Sequence, residues 1–347
     1  NYEKNPVVFY LHNQMDSPEM NNQRLLYIDY VKGIAILLLL LSHTISGYGM
    51  IKTWIFAFHM PIFFIVCGIL IQLKYSNKDK FNTTNYLKKR YNNIFKPYLF
   101  FGLLLFLFYN CINILSGGVM VYSHLINLLT LQGIDSLWFL PVYFFSEFIF
   151  LLLNNKIKLD IRINGLIVLV IFLFFQLMGE EEIPSFLGQV ERMLIGYVFI
   201  YVGYICAKFE IIDKVNIRWA IILLFCASLS ACLNEFSSMF TMNNPFLFFI
   251  NAIGISIAIM AVCHNYEKQG NALRINFLSF WGTNSIMVLC TNNILIETIR
   301  LLDYKITGSI LLNMGLLGGF LFFLLLIPIM WSVVFFMEKK MGFLFGR

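Results

Sequence analysis

Charge is scarce in this chain. Only 13% of its 347 residues are Asp, Glu, Lys or Arg, while 59% are hydrophobic; an average soluble domain carries about 25% charged residues. Such a chain cannot coat a water-facing globule, so a soluble domain is excluded. Period-two alternation in short strands is also missing, which excludes a transmembrane β-barrel. The seven cysteines form no C-x-x-C pair and no metal-ligand spacing with the five histidines. They read as small buried hydrophobes, and no metal is expected. G-x-S-x-G, P-loop, H-E-x-x-H and G-x-G-x-x-G patterns are absent. Hydride transfer, ATP hydrolysis and zinc hydrolysis therefore lack support. The net charge of +6 is small and sits at the joints between apolar blocks, so nucleic acid is not an expected partner.

What is present is a series of long apolar blocks, the mark of an all-α, polytopic integral membrane protein. The pattern predicts about ten transmembrane helices, near 29–48, 51–73, 97–115, 137–153, 163–178, 192–208, 217–234, 245–264, 277–298 and 309–337. Residues 1–23 are expected to form a polar N-terminal tail, and 24–347 a single transmembrane domain with no appended soluble module. The first apolar block lacks a small-residue cleavage site and is expected to be retained. The joints alternate in charge. Counted over joints and tails, twenty Lys and Arg fall on one side of the membrane and four (Lys52, Arg192, Arg300 and Lys305) on the other. The positive-inside rule then places both termini in the cytoplasm of a cell (inner or plasma) membrane protein. Asn82–Lys96 reads as a basic, aromatic surface helix ending at Pro97. Ser123–Gly133 reads as a re-entrant or surface piece on the opposite side.

Ionisable residues inside such blocks are costly and mark functional cavities by default. Lys32 and His43 lie eleven positions apart in IDYVKGIAILLLLLSH. That spacing puts them on one helical face, about 16 Å apart. Asp29, three residues before Lys32, lies near the same face. The plainer alternative is a snorkelling lysine and a histidine bonded to a neighbouring helix. His59 precedes Pro61 at a predicted helix break, where it lines a cavity or satisfies a freed carbonyl. Arg90 suits a phosphorylated donor or simply marks topology. Trp138 is an interfacial anchor or a pocket wall. Glu147 is an intramembrane carboxylate with no evident partner. Arg192 faces the sparsely charged side, where it contacts a sugar or anionic acceptor or pairs locally with Glu191. Asn284, Ser285, Asn292 and Asn293 form a polar stripe suited to helix–helix hydrogen bonds.

These runs resemble a known family. IDYVKGIAILLLLLSH, FAFHMPIFFIVCGIL, KKRYNNIFKPYLF, LWFLPVYF and FWGTNSIMVL, taken in order from about 27 to 300, are similar to membrane-bound acyltransferase family 3. The sugar O-acetyltransferase branch, similar to fucose 4-O-acetylase, is the nearest in pattern. The resemblance implies a ten-helix enzyme that moves acetyl groups from cytoplasmic acetyl-CoA to a hydroxyl of a cell-surface glycan or its lipid-linked precursor. The family's basic-x10-His motif falls on Lys32 and His43. Many relatives carry a histidine where this chain has Asn292 and Asn293, so a second catalytic histidine is not expected there.

The residue chemistry fits that implication. O-acylation needs a base for a hydroxyl, which an imidazole supplies near neutrality, and positive charge for the donor's phosphates. His43, Lys32 and Asp29 are the expected catalytic set, and Lys32 and Arg90 the donor contacts. His59, Trp138, Glu147 and Arg192 are the expected pocket residues. Direct transfer and a covalent acetyl-His relay both remain open, as does the side on which the acceptor is modified. Expected partners are acetyl-CoA, a glycan or polyprenol-linked sugar, the lipid bilayer and, as an open alternative, a second copy in a homo-oligomer. The rival reading is a transporter or flippase of a lipid-linked glycan.

Overall fold

The computed structural model describes residues 25–47, 49–75, 82–178, 185–234, 236–268 and 276–346. The 1–23 tail, Lys78, Lys80, Glu180, Glu181, Glu182 and Arg274 lie outside the described residues. Among those described, the chain is helical with no strand. It runs α1 Leu26–Thr44, α2 Met50–Phe56, α3 Pro61–Tyr75, α4 Thr83–Leu115, α5 Ser123–Leu129, α6 Phe139–Leu151, α7 Ile161–Met178 and α8 Ser185–Lys208. It continues with α9 Ile217–Leu233, α10 Pro245–Lys268, α11 Asn276–Thr283, α12 Ser285–Thr307 and α13 Gly315–Lys340.

Among the described residues, eight helical stretches are long and apolar enough to cross a membrane. The stretch 161–175 of α7 and the whole of α9 are apolar but shorter. Of the ten expected segments, eight therefore reach spanning length by this measure. Large side chains such as Leu107, Leu177, Phe225, Leu324 and Phe336 are exposed. On a water-facing protein such faces would drive aggregation; around a helical bundle they are the lipid-facing surface. The protein is a multi-pass membrane protein.

Local chemistry sets the helix ends. Asn82 accepts from the Asn85 amide at the start of α4 (3.1 Å) and Asn216 from the Trp219 amide at the start of α9 (3.1 Å), each satisfying an orphan N–H of the first turn. Pro61 and Pro245 open α3 and α10, where a missing N–H costs nothing. Pro97 departs from the expected boundary: α4 runs unbroken through it for 33 residues. The basic Asn82–Lys96 stretch is thus the first half of a long helix, not a separate surface helix. It is held there by tertiary bonds from Tyr86 and Arg90 to Glu147, and one forfeited backbone bond does not outweigh them.

Two close crossings position the site. In α1 and α11, a Cβ added at Gly33 would strike the Leu278 carbonyl, and one at Gly282 the Asp29 carbonyl. In α3 and α8, a Cβ at Gly68 would strike the Ile200 carbonyl, and one at Gly203 the Ile65 carbonyl. Small residues let backbones approach where apolar side chains gain nothing over lipid. Four of the seven cysteines are buried as expected, while Cys111 and Cys226 are exposed on the apolar exterior. Near the start of α1, Glu267 accepts from the Leu26 and Tyr27 amides (3.2 and 3.1 Å), again occupying orphan donors. Close by, Asp213 accepts from His264 (2.8 Å) and Lys268 (3.0 Å), and the His264 bond foremost holds its carboxyl down at about 2.

Candidate active site

Two chambers lie along shared helices: α1, α4 and α12 line both, and α3 and α6, which line the smaller, begin directly after the His59–Met60 and Asp135–Trp138 segments that line the larger. The larger, of about 510 Å³, is lined by His43, His59, Trp138, Arg192, Asn293 and Arg300 among others. The smaller, of about 210 Å³, is lined by Lys32, Cys67, Lys74, Tyr86, Arg90 and Tyr143 among others. Each shared helix changes chamber within one turn or a few. On α1 the change falls between Ile36 and Leu39, and beside α3 between Met60 and Phe63. At the head of α6 it falls between Trp138 and Phe139, and on α12 between Leu289 and Asn293. On the smaller chamber's side, the residues at these changeovers, Ile36, Phe63, Phe139 and Leu289, are all apolar.

This division separates the residues that helical spacing had placed on one face. Lys32 and His43 do share a face of α1, yet they open into different chambers. Asp29 binds Lys32 directly, Oδ1 to Nζ at 2.8 Å, as the i,i+3 spacing allows. His43 stands at the last turn of α1, and its ring makes no hydrogen bond to any described residue. His59 lies in the Ala57–Met60 break between α2 and α3 and is 4% exposed. Its Nδ1 lies 2.8 Å from the Ile55 carbonyl. A carbonyl only accepts, so Nδ1 carries the proton, and Nε2 is the acceptor of the neutral ring. The ring lines the chamber, and the carbonyl it meets is not one that the break frees, since Ile55 O also accepts the Phe58 and His59 amides (3.2 and 3.0 Å).

Glu147 is fully buried and has two partners, Tyr86 Oη and Arg90 Nε, the latter at 2.9 Å. No local spacing reveals them, because they lie 57 and 61 residues upstream on another helix. Arg90 therefore spends part of its fork inside the protein, with the rest facing the Lys32 chamber. Its guanidinium also lies 5.2 Å from the Tyr143 ring centroid. Lys74 lies over the Tyr86 ring at 4.8 Å. Three cations, Lys32, Lys74 and Arg90, thus line one small chamber, with Asp29 and Glu147 bound to two of them.

Arg192 does not pair with Glu191. Its Nη1 donates to Gln189 Oε1 (2.9 Å), and its guanidinium lies 4.2 Å from the Phe240 centroid and 5.3 Å from that of Trp138. Trp138, 8% exposed, is a chamber wall rather than an interfacial anchor. Of the polar stripe, Asn292 and Asn293 bond to another element, the Asp135–Trp138 turn. The Ser136 hydroxyl donates to Asn292 Oδ1 (2.8 Å) and accepts from Asn293 Nδ2 (2.7 Å). That fastens the Asp135–Trp138 turn to α12.

Several chamber residues carry little signal of their role in the sequence. Arg300 reads there only as a joint cation. Its Nη2 donates to the His43 carbonyl (2.9 Å) and its Nη1 to Glu297 (2.6 Å). The His43 carbonyl belongs to the last turn of α1, where the helix offers no donor. Tyr109 donates to Asp135 Oδ2 (2.5 Å), and both line the chamber. The one available signal was Glu297 and Arg300 at i,i+3 near the end of an apolar block.

A buried histidine facing a polar chamber, with a cation-lined chamber behind it, is an arrangement for group transfer within a membrane bundle. The chain matches the acyltransferase-domain family over residues 25–336. It belongs to acyltransferase family 3, and it is an acyltransferase. That membership sets the transporter reading aside. No curated protein and no solved structure matches the chain.

Proposed function

We propose that this protein is an O-acetyltransferase that moves an acetyl group from acetyl-CoA to a hydroxyl of a cell-surface glycan or its lipid-linked precursor. The donor enters the Lys32 chamber and the acceptor the His43 chamber. The observation that carries this reading is the pair of chambers along shared helices α1, α4 and α12, one lined by three cations and the other by His43 and His59. The excess of basic joints favours a cytoplasmic Lys32 chamber, with both termini on that side. Residues 24–347 then act as one transmembrane catalytic domain.

The roles follow from chemistry at each atom. Lys32, held by Asp29, and the free part of the Arg90 fork meet the donor's phosphates, since a guanidinium and an ammonium both suit phosphate oxygens. The apolar side chains at the changeovers part for the thioester arm, which carries its carbonyl toward His43. An acceptor hydroxyl loses its proton to an unbonded nitrogen of His43 as its oxygen attacks the thioester carbonyl. The C–S bond breaks, the new ester C–O bond remains on the sugar, and the imidazolium returns the proton to the leaving thiolate. His59 Nε2 accepts from an acceptor hydroxyl and orients it, and Arg300 fixes the end of α1 on which His43 sits.

Mass spectrometry of surface glycans tests this. A deletion strain should lose about 42 mass units per missing acetyl, a figure set by acyl chemistry. The wild-type gene should restore that mass and the His43→Ala gene should not. Unchanged glycans in the deletion strain would contradict the proposal.

A further inference from the structure

Four side chains with formal charge line the His43 chamber: Asp135, Arg192, Glu297 and Arg300. Their pairing is unequal. Glu297 and Arg300 bind each other at 2.6 Å, and Asp135 takes the Tyr109 hydroxyl. Arg192 has no carboxylate within ion-pair distance among the described residues. Its Nε is buried without a hydrogen-bond partner.

The guanidinium is nonetheless held in place. Gln189, itself 4% exposed, donates its amide to the Leu131 carbonyl (2.7 Å). That fixes its oxygen toward Arg192 Nη1 (2.9 Å). The rings of Phe240 and Trp138, T-shaped to each other with centroids 4.6 Å apart, flank the guanidinium. A cation placed this way has lost much of its water. Ring contact recovers only part of that loss, and a partly buried charge is further stabilised by an opposite one. A planar fork with an open edge and no carboxylate within ion-pair distance among the described residues fits a carboxylate or phosphate.

We propose that the acceptor is an anionic sugar, whose carboxylate or phosphate pairs with Arg192 in the His43 chamber. This rests on the reading of that chamber as the acceptor site. The free oxygen of Asp135 accepts from a ring hydroxyl of the same sugar. The anion thereby sets which hydroxyl lies at His43.

The test is binding of three probes that share one ring: methyl β-glucoside, methyl β-glucuronoside and methyl β-glucoside 6-phosphate. Each is titrated by saturation-transfer NMR against the full chain in phosphatidylcholine nanodiscs. Both anionic probes should bind at least about tenfold more tightly than the neutral one, the scale of one charge-assisted hydrogen bond. Arg192→Gln should erase the difference and Arg192→Lys should keep part of it, which separates loss of charge from loss of fold. Equal binding of the three, binding of none, or a preference that survives Arg192→Gln would overturn the proposal. Charge preference in a protein that transfers no acetyl group would leave the anion site standing and remove the acyl-acceptor reading. Acetyl transfer without charge preference would remove the anion site alone.

Discussion

Arg300 Nη2 donates to the backbone carbonyl of His43 at 2.9 Å. The proposed base thus sits on a helix end that α12 holds from outside. Without that donor, the last turn of α1 keeps an unsatisfied carbonyl and is free to fray. Arg300→Gln should lower kcat for acetyl transfer by about tenfold to a hundredfold, the cost of a small misplacement, with KM for acetyl-CoA unchanged. Arg300→Lys should recover part of the rate. An equal rise in donor KM would show that Arg300 acts at the donor instead.

Glu147 is fully buried with Arg90 and Tyr86 as its partners. Removing one member of a buried ion pair costs about 3–5 kcal/mol, because the other charge is stranded. Arg90→Ala should therefore cause a large loss of thermal stability in detergent, and replacing both residues with apolar ones of similar volume should restore much of it. An Arg90→Ala protein melting like wild type would show that the pair does not form.

Lys32 offers a cleaner probe of the donor, since its partner Asp29 lies one turn away on its own helix. Lys32→Ala should weaken acetyl-CoA binding without loss of fold, because it removes positive charge from the small chamber. Isothermal titration with acetyl-CoA checks this, and wild-type affinity would move the phosphate site elsewhere.

Helix crossings supply a test independent of chemistry. Gly282→Leu and Gly203→Leu drive side chains into the backbones of α1 and α3, so both should expose apolar surface and precipitate on extraction. Gly49→Ala, where the added atom meets nothing within 4 Å, should melt like wild type. Normal melting of Gly282→Leu would mean that α1 and α11 do not approach so closely.

Much of this architecture was legible because the bilayer imposes it. Apolar run length gave the helices, and the intramembrane ionisable residues pointed to Lys32, His43, His59, Glu147 and Arg192. Eleven-residue spacing also put Lys32 and His43 on one face. It did not show that the two residues open into different chambers, since a chamber's lining depends on side chains from several helices. Glu147 and Arg300 illustrate the same limit. Their partners are fixed by tertiary packing across 57 and 257 residues of chain, and no local period encodes that. Pro97 shows the converse, a strong local breaker overridden by tertiary bonds from Tyr86 and Arg90.

His59 should matter less than His43. Its Nδ1 is committed to the Ile55 carbonyl, so only Nε2 remains for the acceptor. His59→Ala should raise acceptor KM more than it lowers kcat, and a loss of kcat as deep as that of His43→Ala would make His59 the base.

The most direct measurement is acetyl transfer to the native glycan by purified His43→Ala protein in nanodiscs, beside wild type. Loss of a general base costs about 10²–10⁴ in rate, so transfer should fall to that extent while acetyl-CoA affinity and melting temperature stay unchanged. Wild-type turnover by the folded His43→Ala protein would contradict the account and move the chemistry out of the His43 chamber.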